Sequence, residues 1–195
     1  FFERLGRAVK VPLMVDSTDP RAVEAALSRC QGRSIVNSVN LEDGERRFAE
    51  VAPLARRFGA VVVVGCIDDH PVQAQAFTRE RKLEVALRSR ELLTRKYGLA
   101  DADLIVDPLV FPVASGDEAY VGSGVETLEG LRLVKEALPG CATLLGVSNV
   151  SFGLPQAARE VVNSVFLYLA TKVGLDLAIV NTERLERYAS IPADD

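Results

Sequence analysis

Two spacings of apolar residues alternate along the whole chain. Short, nearly continuous apolar runs of strand length are separated by stretches in which apolar residues recur every three or four positions, the period of a helix with one buried face. The runs are Val11–Asp16, Ser34–Ser38, Ala60–Ile67, Leu104–Val106, Thr143–Val147 and Leu175–Val180. Ala60–Ile67 (AVVVVGCI) is the strongest, because four consecutive valines suit a strand covered on both faces. Between the runs the helical period predicts helices from Pro20 towards Gly32, Glu42–Phe58, Thr78–Tyr97, Glu126–Leu138, Pro155 to just before Gly174, and a short last one at Thr182–Tyr188. Pro20 follows Ser17, Thr18 and Asp19, a helix start with its cap and its first-turn proline. Gly32, Gly59, Gly98, Gly140 and Gly174 each follow a helical stretch, where a glycine ends the helix. Pro53 is expected to kink the Glu42–Phe58 helix or to start a new turn in it. Two polar connections stand out, Asp68–Ala76 and Leu109–Gly124, and the second is too long to be a simple connector.

Six apolar strands alternating with helices imply parallel strands with helices packed over them. A doubly wound sheet would carry a glycine-rich phosphate loop after a strand, and neither GxGxxG nor GxxxxGK[ST] occurs. A (β/α)8 barrel places its site at the C-terminal ends of many strands, and short polar residues gather at those ends here. The expected fold is therefore α/β, a (β/α)8 TIM barrel. The first two strand-helix units are expected upstream of Phe1, since 195 residues supply six units of eight and FFERLGRAVKVP reads as the end of a helix leading into a strand. The whole of 1–195 is read as one such domain.

Composition narrows the function without naming it. Of 195 residues, 48% are hydrophobic and 26% charged, which is globular, and the net charge of −4 offers no basic field for nucleic acid or an anionic membrane. The longest apolar run falls far short of the roughly 20 residues of a membrane span. Cys30, Cys66 and Cys141 are odd in number and widely spaced, and they read as buried thiols of a reducing, cytoplasmic compartment. His70, the sole histidine, reads as an exposed loop residue, and Asp68 and Asp69 as a solvated loop edge.

The strand ends carry the candidate chemistry. Asp16, Asn37, Asp107 and Asn149 each lie at or near the C-terminal end of an apolar run, where a barrel would aim all four into one cavity. A carboxylate accepts two parallel N–H bonds from an aminopyrimidine edge as it does from a guanidinium, and an amide reads an edge of mixed donors and acceptors. Two carboxylates and two amides suit a pterin.

PLMVDST, SIVNSVN, VVVVGCIDD, LIVDPLVFPVASG, GVSNVSFG and LAIVN, in this order and spacing, resemble the pterin-binding (folate) domains of cobalamin-dependent methionine synthases over about Val11–Asp195. That barrel family also includes methyltetrahydrofolate:corrinoid iron–sulfur protein methyltransferases and dihydropteroate synthases. The resemblance implies that Asp16, Asn37 and Asp107 hydrogen-bond the pterin ring. It also implies that Asn149 approaches the methyl-bearing nitrogen at pterin position 5 and is the catalytic group, with Ser148 beside it, and that Arg159 lies near the folate. The reaction implied is methyl transfer from 5-methyltetrahydrofolate to cob(I)alamin, a half-reaction of methionine synthesis. Cobalamin would be carried by another domain of the same enzyme, with a homocysteine-binding domain as a further partner and no metal bound by this domain. Two other readings remain at this stage: a folate-binding or assembly module without turnover, and a dihydropteroate synthase-like enzyme. The second is disfavoured because Asn181, Thr182 and Glu183, rather than a lysine, follow the last strand.

Overall fold

A computed structural model describes residues 1–191. Positions 192–195 of the expected domain lie outside the described residues. Six strands and six helices alternate: α1 (Phe2–Ala8), β1 (Met14–Asp16), α2 (Pro20–Leu27), β2 (Ile35–Val39), α3 (Arg46–Phe58), β3 (Val61–Gly65), α4 (Arg79–Arg95), β4 (Leu104–Asp107), α5 (Ser123–Ala137), β5 (Ala142–Gly146), α6 (Gln156–Lys172) and β6 (Leu177–Ile179). The strands form one sheet in chain order, β1 to β6, and every neighbouring pair is parallel. Sequential parallel strands joined through helices form the curled, TIM-barrel-like α/β arrangement that the strand and helix periods imply.

Side-chain alternation along each strand divides the core into two layers. Val15, Val36, Val62, Val64, Leu104 and Val106 pack towards the helices, in one cluster with Val23 of α2, Phe48 and Val51 of α3, and Val85 and Leu93 of α4. The intervening residues Val63, Ile105 and Leu144 form a separate cluster with Met14, Ile35, Val61, Ala142 and Leu177 on the other face. A third cluster, with Leu145, Val147, Val150 and Phe166, closes α6 over β5. Full burial of a Val or Leu side chain contributes about 1.5–3 kcal/mol, so the sheet is held mainly by its helix-facing layer.

Several boundaries differ from the expected ones for local reasons. The helix expected at Glu42 begins at Arg46, because the Asn40 side chain accepts from the Glu42 N–H and the Gly44 N–H closes on the Leu41 carbonyl, turning the chain first. Pro53 then sits within a continuous helix. Conversely, α5 begins at Ser123 rather than Glu126, with Gly122 before it at φ 82° and the Ser123 hydroxyl donating to the Pro112 carbonyl at 3.0 Å. Gly59 caps α3 in the left-handed conformation as expected. Gly140 does not take that conformation. It is small because a Cβ there would stand 3.0 Å from the Asp101 side chain. The expected last helix resolves into two 3-10 turns, Thr182–Arg184 and Tyr188–Ser190.

Candidate functional site

The alternation that builds the sheet also selects which polar side chains share a face. Asp16 follows Met14 by two residues, Asn37 follows Ile35 by two and Asp107 follows Ile105 by two, so all three continue the face of the smaller, strand-only cluster away from the helices. Asp16 and Asp107 are the last residues of β1 and β4, whereas Asn37 lies inside β2, two residues before its end. Gly65 ends β3 between them, paired with Asp107.

At the β1–β2 edge, Asp16 and Asn37 are register partners, and the Asn37 amide donates to Asp16 Oδ2 at 3.3 Å. Asp16 is exposed and Asn37 half-buried. Both line a polar cleft of about 240 Å³ with Ser17, Thr18, Ser38 and Asn40. The cleft floor is fixed by Arg47 of α3, whose guanidinium donates to the carbonyls of Ser17 at 2.6 Å, Thr18 at 2.9 Å and Ser38 at 3.4 Å. One cation thereby joins the segments that follow β1 and carry β2. The Asn37–Ser38 peptide is cis.

At the sheet centre, Asp107 is half-buried and its Oδ1 accepts the Leu109 N–H at 2.9 Å. Packing around the carboxyl pushes it up to about 6, against the pull of that N–H and of the Lys82 ammonium. Cys66, just beyond β3, is buried and its thiol is pushed up to about 12, so it stays protonated.

Beyond β5 the chain turns at once into a 3-10 segment, Val147–Ser151, so Asn149 stands three residues past the strand rather than at its end. Its side-chain nitrogen lies over Gly146, where a Cβ would meet it at 3.2 Å. The Asn149 amide is exposed and, among the described residues, takes up no side-chain hydrogen bond. Arg159 of α6 braces this turn, donating to Ser151 Oγ at 3.1 Å and to the Ser148 carbonyl at 3.3 Å. Ser148 and Arg159 line a second polar cavity of about 220 Å³ with Gln156, Glu160, Asn181 and Arg184. Of the expected residues, Asp16 and Asn37 line one cleft and Ser148 and Arg159 another, Asp107 lies on the strand face between them, and Asn149 is exposed on the turn next to Ser148, lining neither.

Two sequence readings change, and one functional residue emerges that the sequence did not single out. Asp68 is not a solvated loop edge: it is 2% exposed and bound by Arg81 and Arg88, while Asp69 beside it remains exposed. Cys30 is half-buried, unlike Cys66 and Cys141. Lys82 of α4, which helical periodicity alone does not single out, is fully buried. Its signal in the sequence was faint, because a lysine at a helix-facing position looks like any surface lysine until a small residue opposite, here Gly130, makes room for it. His70 is exposed as expected, its Nδ1 accepting the N–H groups of Val72 and Gln73.

Among the described residues no three His, Cys, Asp or Glu side chains gather as a metal site would need, and no helix is long and apolar enough to cross a membrane.

A family model described as pterin binding enzyme matches residues 2–181. The chain is 40% identical over 194 residues to methionine synthases of Mycobacterium tuberculosis and Mycobacterium leprae, covering 98% of this chain and 16% of each relative. It therefore spans about one sixth of the length of the curated relatives it matches. Among solved structures, it superposes on a dihydropteroate synthase of Coxiella burnetii in complex with pteroic acid, with TM-score 0.64 and 16% identity over 91% of this chain and 65% of that one. A dihydropteroate synthase of Thermus thermophilus gives TM-score 0.63 and 24% identity over 94% of this chain and 70% of that one. At such identities the likeness is one of fold.

Proposed function

The chain belongs to the pterin binding enzyme family, and from that premise we propose that it binds 5-methyltetrahydrofolate across the polar strand ends and supports transfer of its position-5 methyl group to cob(I)alamin. The observation that carries this reading is the 40% identity to methionine synthases along nearly the whole chain. The likeness to dihydropteroate synthases is below 25% identity and does not bring that activity with it.

In this reading the 2-aminopyrimidine edge of the pterin donates to the carboxylates, and the amide of Asn37 takes an edge of mixed character. Asp107 serves best when ionised, which its value of about 6 allows at neutral pH. The face shared by Asp16, Asn37 and Asp107 supports a flat ring lying across the sheet from β1 to β4. Cobalamin, held by another domain of the same enzyme, supplies the nucleophile when reduced. The remaining work belongs to this chain.

The N5–methyl bond breaks, the methyl group goes to cobalt, and the bonding electron pair stays on N5. That nitrogen must gain a proton to leave as a neutral amine, because an amide anion is a poor leaving group. Asn149 is too weak an acid to supply the proton. Its exposed, uncommitted side chain can hydrogen-bond N5 as charge develops there, with water delivering the proton. Arg159 holds the turn that presents it.

The test is Asn149→Ala in the full-length protein, with methyl transfer and folate affinity measured separately. Transfer is expected to fall by roughly 10²–10³ with little change in affinity, as loss of a group acting in the transition state requires. Equal losses in both would remove Asn149 from the chemistry. A protein that binds the folate but never methylates added cobalamin would instead be a binding module.

A further inference from the structure

Lys82 has no solvent exposure, an environment in which an ammonium persists only if its donors are filled. They are filled. Nζ donates to the carbonyls of Pro108 at 2.6 Å, Ala76 at 3.0 Å and Leu109 at 3.2 Å, three acceptors for three N–H groups. The Phe111 ring lies 5.0 Å away and adds a cation–π contact. The stem passes against α5 at Gly130, where a Cβ would stand 2.5 Å from Lys82 Cδ.

What this ammonium grips is the turn beside Asp107. Leu109 has φ 65°, a left-handed conformation that is unfavourable for a residue with a side chain. Its peptide groups are held on both sides. The N–H goes to Asp107 Oδ1 at 2.9 Å, and the carbonyl accepts from Lys82 and, at 3.3 Å, from the Thr127 hydroxyl. Asp107 Oδ2 takes no side-chain hydrogen bond among the described residues, which leaves it for a ligand.

We propose that Lys82 is a positioning residue for the pterin site, its buried ammonium setting the Leu109 turn and, through that turn, the aim of the Asp107 carboxylate. The inference rests on the reading of Asp107 as a pterin-binding group. The ionisable groups around Lys82 are Cys66 beyond β3, Asp107 of β4 and Glu126 of α5, with Asp68 near Cys66. Asp68 is taken by Arg81 and Arg88 and Glu126 by Arg79, while the thiol is protonated. Lys82 is therefore the cation that acts on Asp107. Burial lowers Lys82 to about 8, so it remains mostly charged at neutral pH, and the three carbonyls favour that form.

The test is affinity for 5-methyltetrahydrofolate in the full-length protein as a function of pH. Wild-type affinity is expected to fall as pH drops through about 6. In Lys82→Met, binding is weaker and the fall moves up by about one pH unit, because an opposite charge near the carboxyl is gone. A loss that is the same at every pH, as merely structural damage gives, overturns the proposal. Arg90→Met, which breaks the Arg90–Asp101 pair of the same helix, controls for destabilisation and should leave the pH of the fall unchanged. Gly130→Ala keeps the charge but crowds the stem, and a severalfold loss of affinity is expected; wild-type affinity there overturns the positional role, including when Lys82→Met does not fold. Failure of the wild-type protein to bind the folate removes the functional reading and this inference together, whereas binding that neither variant alters removes the inference alone.

Discussion

The edge and the centre of the sheet solve one problem with different cations. At the β1–β2 edge, Arg47 reaches from the helix after β2 to three carbonyls of the segments carrying Asp16 and Asn37. At the β3–β4 centre, Lys82 reaches from the helix after β3 to the carbonyls of Pro108 and Leu109 beside Asp107 and to that of Ala76 in the loop after β3. Arg47 is half-buried and its cleft is open, whereas Lys82 is sealed beneath Phe111 and α5. Solvent therefore screens the edge and leaves the centre to respond strongly to charge. Burial pushes the central Asp107 carboxyl up to about 6, while Asp16 stands exposed at the edge.

The largest expected effect that separates the two regions is on ligand affinity. Asp107→Asn should weaken 5-methyltetrahydrofolate binding by about 1.5–3 kcal/mol, the range for a hydrogen bond to a charged group, read by titration calorimetry at pH 7. Asp16→Asn, in the open cleft, should cost less than half of that; equal losses would abolish the distinction between centre and edge.

Asp107→Asn should also change stability. A carboxyl raised from 3.8 to about 6 binds its proton more tightly in the folded chain than in the unfolded one. Stability contributed by this group is therefore greatest at low pH and falls as pH rises through that window. Asp107→Asn removes the cost of the buried charge and should stabilise the protein above pH 6, on the order of 1 kcal/mol in denaturant unfolding, while the gain vanishes near pH 4. A centre that trades stability for binding would be refuted if Asp107→Asn were destabilised at neutral pH.

The smallest effect concerns the two cations. Arg47→Met should loosen the edge by about 1 kcal/mol, since water can replace its donors at a half-exposed site. Amide exchange in Ser17–Ser38 should quicken while Leu109 stays protected. Quickening at Leu109 as well would show that the regions are coupled.

Much of this was legible from residues. The strand and helix alternation, the parallel sheet and the positions of Asp16 and Asp107 at strand ends follow from apolar period and end residues, which local sterics and burial fix. Asn37 was legible as polar and near the site, but its place inside β2 was not, because strand length depends on pairing with β1 and β3. Asn149 read as a strand-end residue; the chain leaves β5 at Gly146 and curls into a 3-10 turn before reaching it. The Asp68 cluster was misread because Arg81 and Arg88 lie a loop away and fold back onto it.

By itself, then, the sequence determined the order of elements, the two-layered apolar pattern and the polar inventory of the strand ends, all properties of residues close in the chain. Only the tertiary structure decided that Asp16, Asn37 and Asp107 share one face, that Asp107 is sheltered while Asp16 is open, and that Lys82 lies beneath a turn rather than in water. The physical reason is that burial and electrostatic environment are set by partners distant in the chain, and the same lysine on the same helix is a solvated charge or a buried clamp according to whether a glycine faces it.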